Sequence, residues 1–226
     1  MARSSWQRLR TAGTVLMALA LCLGVAAPAA AQTGPLNREQ ALLALTHADP
    51  AHRLQAMLRL ADLGSSADAE AVMPRLRDPD PVLRQFAEAL VWRLWGRSGD
   101  AAVDARFAQG VALMQSGELP KAALVFTDII ARRPAFAEAW NKRATIYYLL
   151  DQYELSMNDC DAVLERVPDH FGALSGYSQM LAERGQTERA LGYLEHAFQV
   201  NPNMVNGELM IENLRRQVEI KRRKSA

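Results

Sequence analysis

From Leu36 onward the apolar residues return every three or four positions, the spacing of a helix face, and no stretch alternates apolar with polar long enough to form a strand. Turn-forming clusters break the pattern at short intervals: HADPAH, LGSSAD, RDPDP, GRSGD, QSGELP, RRPAF, LLDQY, VPDHF, ERGQT and NPNMVNG. The segments between them run to about 11 to 16 residues, three to four helical turns. Antiparallel helices joined by tight turns are predicted, an all-α chain. The first of them opens well, because Asn37 can cap it while Gln40 reaches back to close a capping box.

The turns themselves are periodic. Pro134, Pro168 and Pro202 stand 34 residues apart, and the same step links Gly110, Ala144 and Ser178, then Gly117, Asp151 and Gly185, then Ala122, Ser156 and Ala190. Phe126, Cys160 and Leu194 form an apolar column, as do Leu113, Tyr147 and Leu181. Each column has a physical reason. A small residue midway along one helix lets the next helix approach, and a second small residue early in that helix receives it. The Gly/Asp column closes the turn, where a left-handed residue is useful. The proline follows a helix that has already ended. A single hairpin of this kind cannot bury its apolar face, whereas three stacked hairpins share a core.

Period and columns resemble the tetratricopeptide repeat over roughly residues 103–202, with AEAWNKRATIYYLLDQYELSMNDCDAVLERVP the best copy. In the first copy Arg106 replaces the large aromatic that matches Trp140, and Gln109 and Arg143 stand where the family usually has an apolar residue. Upstream, a different step of 31 residues carries Asp49 to Asp80, Pro50 to Pro81, Arg53 to Arg84, Ala56 to Ala87 and Leu63 to Leu94. This resembles a pair of HEAT-like repeats, in which Asp-Pro opens a helix and proline at the helix start loses no internal hydrogen bond. The two resemblances together imply a right-handed α-solenoid of antiparallel hairpins: HEAT-like helices over 36–98, three tetratricopeptide-like repeats over 100–202, and a capping helix with a basic tail over 203–226. The cap is expected at about 204–222, with Met204, Leu209, Ile211, Leu214 and Val218 turned toward the last repeat.

Residues 1–31 lie outside this scheme. Arg3, Arg8 and Arg10 precede the apolar run TAGTVLMALALCLGVAA and the small-residue stretch PAAAQ, the order of a signal peptide cut after Ala31. General secretion to a periplasmic or extracellular location is expected, with membrane contact only if that segment stays uncleaved. Without it, 23 basic and 25 acidic residues remain, and the acids dominate outside the basic tail. A mildly acidic body makes nucleic acid a poor partner. Cys160 would then be the only cysteine, so no internal disulfide can form, and its apolar column makes it a packing residue.

Candidate chemistry is sparse. His47, His52, His170 and His196 share no helix with a second ligand at metal spacing, and no nucleophile elbow or phosphate loop is present. No enzyme activity, cofactor or metal is expected. Trp92 and Trp95 share a helix face and read as core or junction packing, with an exposed partner patch as the alternative. The tail LRRQVEIKRRKSA complements a helix C-terminus, with binding of an acidic partner as the alternative.

Function is therefore sought on the concave face that the tetratricopeptide resemblance implies. Phe107, Val111 and Met114 in the first copy, Asn141, Lys142, Thr145 and Tyr148 in the second, and Ser175, Gln179 and Glu183 in the third are expected to line a groove for a peptide or protein partner. The two-carboxylate clamp of chaperone-binding relatives is not expected, since Val111, Gly172 and Gly176 stand where it needs polar or basic groups. The reading is an exported, non-enzymatic scaffold or adaptor. Its alternatives are a periplasmic holdase and, by analogy with HEAT repeats in bilin-lyase-like proteins, an accessory subunit of an envelope enzyme.

Overall fold

A computed structural model of the chain describes residues 34–225, so the expected signal segment lies outside the described residues. All features below belong to the compact unit Leu36–Ala226. Among the described residues every regular element is helical, in keeping with an all-α stack of hairpins.

Helices α1 (Arg38–Ala44), α2 (Pro50–Leu63), α3 (Ala69–Val72) and α4 (Pro81–Trp95) form an N-terminal block. Three hairpins follow: α5 (Ala101–Gln115) with α6 (Leu119–Arg132), α7 (Ala137–Leu149) with α8 (Tyr153–Arg166), and α9 (Phe171–Glu183) with α10 (Thr187–Val200). Helix α11 (Gly207–Ser225) packs on α10.

The periodic columns reappear as geometry. α6, α8 and α10 all end two residues before their prolines, at Arg132, Arg166 and Val200. The turn column is left-handed throughout, with φ of 78° at Gly117, 59° at Asp151 and 71° at Gly185. Asp151 can hold this conformation because a short polar side chain tolerates it better than a branched one. The two small columns meet inside the hairpins. Ser156 Oγ donates to the Ala144 carbonyl and Ser178 Oγ to the Ala190 carbonyl, each at 2.7 Å. A buried hydroxyl that close to a facing backbone leaves no room for a larger residue.

The 31-residue step also has a structural counterpart. Asp49 caps α2 by accepting from the Ala51 N–H at 2.9 Å, and Asp80 caps α4 by accepting from the Val82 N–H at 2.8 Å. In both helices Pro fills the first position. One turn in, Arg53 donates back to the His47 and Ala48 carbonyls, and Arg84 to the Asp78 and Pro79 carbonyls. Each arginine thus ties the entering chain to its helix. Asn37 and Gln40 form the expected capping box, with both bonds at 2.9 Å.

Three details depart from the sequence expectation. α1 and α3 have 7 and 4 residues and are shorter than the periodicity suggests. Around α3, Pro74 cannot supply an α-helical N–H, and the chain passes through 3-10 turns at Ser66–Asp68 and Met73–Arg77. The last helix begins at Gly207, not 204, because Asn206 takes a φ of 60°. Ile211, Leu214 and Val218 are buried as expected, but Met204 precedes the helix and Leu209 faces outward, 52% exposed.

The N-terminal block and the third hairpin share one core. Phe171, Leu174 and Ala197 join Leu83, Leu90, Leu94 and Trp95 in it. Trp95 stacks on His170 with ring centroids 3.8 Å apart, and Trp92 meets Phe171 edge-on at 5.0 Å. The tryptophan pair is junction packing, not an exposed patch. Polar bonds reinforce the contact: Asn201 Nδ2 donates to Glu88 at 3.0 Å, Asn203 Nδ2 to the Leu76 carbonyl at 2.8 Å, and Arg77 to the Gln199 carbonyl.

Candidate functional site: the cleft between α7 and α9

Helices α7 and α9 are the first members of successive hairpins, and they run parallel. At their N-terminal ends Glu138 meets His170, and at their C-terminal ends Tyr148 meets Glu183. Between these two contacts lies a cavity of about 300 Å³. Its floor is apolar, formed by Ala144, Cys160, Ala173 and Met180, and its walls carry Asn141, Thr145, Tyr148 and Gln179. Gly172 and Gly176 leave α9 bare on the cavity side.

The N-terminal end is closed by a buried polar cluster. Glu138 accepts from His170 Nε2 at 3.0 Å, from Asn141 Nδ2 at 3.0 Å, and pairs with Lys142 Nζ at 2.7 Å. His170 Nδ1 accepts from the Ala173 N–H at 3.1 Å, which caps α9 and assigns the ring proton to Nε2. Burial works against the Glu138 charge. The His170 hydrogen bond and the Lys142 ammonium outweigh it and hold the carboxyl below its usual range. Trp92 completes the closure. Lys142 Nζ lies 5.6 Å above its ring centroid, and a Cβ at Gly172 would overlap the ring, so only glycine admits this approach.

The opposite end is open and differently built. Tyr148 donates to Glu183 Oε1 at 2.8 Å, and Gln179 Nε2 donates to the Tyr148 oxygen at 2.6 Å. The Glu183 hydrogen bond, with burial behind it, pushes the Tyr148 phenol up to about 12. The ring of Tyr153 lies 5.6 Å from that of Tyr148, and its hydroxyl donates to Asp151 at 3.2 Å.

Of the expected groove residues, Asn141, Thr145, Tyr148 and Gln179 line this cavity together, and Glu183 joins them through Tyr148. The first-copy residues do not. Phe107 is buried in the core of the first hairpin, with ring centroids 5.5 Å from Phe126 and 5.3 Å from Phe136. Val111 and Met114 are half-buried against that same core. All three keep the register of Asn141, Thr145 and Tyr148 but stand on α5, one hairpin away from this cavity, and Phe107 is buried to the same degree as Asn141. Lys142 sits at the edge of the cleft, but Glu138 neutralises it. Ser175 spends its hydroxyl on the Phe171 carbonyl at 2.7 Å.

The sequence reading missed Glu138 and His170. A signal was present, since the 34-residue step puts His170 in the column of Phe136 and Met204, and a histidine in an apolar column needs a buried partner. Cys160 is buried as its column implies, and desolvation pushes its thiol up to about 12. Among the described residues no group of three or more His, Cys, Asp or Glu is placed to hold a metal.

Fold and cleft define a helical-hairpin repeat protein with a ligand-sized hollow between adjacent first helices. The chain is similar to a TPR repeat-containing protein of Rhizobium etli, 32% identical over 130 residues that make up 58% of this chain and 63% of that relative. It is also similar to anaphase-promoting complex subunit 7 of Dictyostelium discoideum, 29% identical over 87 residues, 38% of this chain and 15% of that one. The matches thus span less than two thirds of either relative's length. Among solved structures, the first TPR domain of Spaghetti (RPAP3) bound to an HSP90 peptide aligns at TM-score 0.49 and 15% identity, covering 52% of this chain and 93% of that one. The TPR2B domain of yeast Sti1 in its Hsp70 complex aligns at TM-score 0.47 and 19% identity, covering 54% and 99%. No protein-family model matches the chain.

Proposed function

We propose that this chain is an exported, non-enzymatic adaptor. Its N-terminal HEAT-like block seals one end of a cleft in which the tetratricopeptide-like hairpins take up a peptide segment of a protein partner. One observation carries the reading: the cavity between α7 and α9 joins an apolar floor to a rim of amide and hydroxyl groups. An apolar side chain fits the floor, and Asn141, Thr145 and Gln179 can meet the backbone of an extended strand. The leader-like residues 1–31 support export.

The test is photocrosslinking in the native cell envelope from a benzophenone amino acid at position 148, followed by mass spectrometry. A dominant crosslinked protein is expected, lost when Gly176→Leu fills the cavity. A Cβ at Gly176 would meet nothing within 4 Å, and Gly176 lines the cavity, so the added side chain starts from open space there. A spread of unrelated products would support a holdase instead, and no crosslink would refute the cleft.

A further inference from the structure

The open end of the cleft gathers two exposed carboxylates that are held by neutral groups. Glu183 is exposed and is held by two neutral groups, the Tyr148 hydroxyl and the Gln179 amide. Asp151, also exposed, is held by the Tyr153 hydroxyl. Arg184, next to Glu183 in the chain, pairs with Glu154. Among the described residues neither Glu183 nor Asp151 forms an ion pair with Lys, Arg or His. Because α7 and α9 run parallel, both also point their C-termini here, adding the partial negative charge of two helix dipoles. Two tyrosine rings, 5.6 Å apart, stand beside these carboxylates. At the sealed end, by contrast, the Lys142 charge is already taken up by Glu138.

A cavity with an apolar floor therefore opens onto a rim of carboxylates and aromatic faces. An acidic ligand would meet repulsion at the open end and no free cation at the sealed one. A lysine or arginine side chain would find carboxylates and ring faces together. Resting on the adaptor reading above, we propose that the cleft selects a peptide segment carrying an apolar side chain for the cavity beside a lysine or arginine for the Tyr148–Glu183 rim.

Panning a phage-displayed dodecapeptide library on the full chain tests this. Enriched peptides should place Lys or Arg next to a large apolar residue. A selected peptide should bind Glu183→Gln roughly two- to fivefold more weakly, the range of an exposed ion pair, and added salt should weaken its binding to wild type more than its binding to the variant. The same peptide with its lysine replaced by norleucine should bind wild type and Glu183→Gln alike. The substituted amide keeps the hydrogen-bonding shape of the carboxylate, and an unchanged melting curve excludes misfolding as the cause. Acidic or uncharged peptides that are enriched and blocked by Gly176→Leu would overturn the charge preference while leaving the cleft in place. No enrichment above an unrelated helical protein would overturn the cleft, and this proposal with it.

Discussion

The second and third hairpins put different chemistry into one pair of positions. In the second, Arg143 clamps Asp159 through two bonds of 2.8 Å, while its guanidinium lies 5.1 Å from the Trp140 ring centroid and 5.6 Å from that of Tyr147. The 34-residue step carries these positions to Tyr177 and Tyr193, which stack with centroids 4.5 Å apart and planes 4° from parallel. The first hairpin has Gln109 and Val125 there. The repeat thus prescribes where two side chains meet across the hairpin and how much space they share, and leaves their chemistry open. A flat guanidinium–carboxylate pair and a flat tyrosine pair both satisfy it. Each works only as a pair: a charge on one side demands its counterpart on the other, whereas the aromatic pair tolerates loss of one member as a cavity.

Breaking the ion pair on one side should have the largest effect. Asp159→Ala leaves the mostly buried Arg143 guanidinium without its carboxylate and should cost about 3–5 kcal/mol in urea denaturation. Tyr193→Ala, in the third hairpin, removes a half-buried ring and should cost less, about 1–3 kcal/mol. A loss as large as that of Asp159→Ala would mean that the two pairs do not differ in kind. Replacing both members at once, Arg143→Tyr with Asp159→Tyr, should restore stability to within about 1–2 kcal/mol of wild type, since a buried pair can give way to a packed apolar one.

Acid sharpens the same contrast at the sealed end of the cleft. Glu138 titrates below its usual value of 4.5 in the folded chain. Its contribution is therefore complete above that value and is lost as pH falls through the lower, folded pKa. Glu138→Gln should flatten the stability profile in that acid window and leave the profile near neutrality parallel to wild type, as read by thermal melts against pH. The smallest effect concerns Cys160, whose thiol is buried and pushed up to about 12. In a Cys22→Ser background, Ellman's reagent should label Cys160 only when the chain is unfolded, and rapid labelling of the folded protein would contradict its packing role.

Much of the fold was legible because it rests on backbone geometry. Left-handed turns, proline stops and close helix contacts demand particular residue types, and those types recur at fixed steps, as at Gly117, Asp151 and Gly185. The cleft was legible in its second and third copies, where Asn141, Thr145, Tyr148 and Gln179 keep the register. The first-copy residues keep the same register on α5, but there the column holds apolar side chains that pack on the core of the first hairpin. Glu138 and His170 escaped for another reason. Their partnership spans two hairpins, and its third member, Trp95, comes from the N-terminal block. Periodicity reports which residues face a neighbour, but not which distant element becomes that neighbour.

That last contact has a consequence for how the molecule is made. In an open array each hairpin touches only the next, so folding can begin anywhere and units can be gained or lost. Here Asn201 and Asn203 reach back across 113 and 127 residues to Glu88 and Leu76. The chain must close a long loop before its last hairpin is secured, which slows the final step and makes the unit melt as a whole. It also sets the length of the array. Inserting or deleting one hairpin would carry α9 and α10 away from Trp95, so a tandem duplication, harmless in most repeat proteins, would here leave two unfinished surfaces.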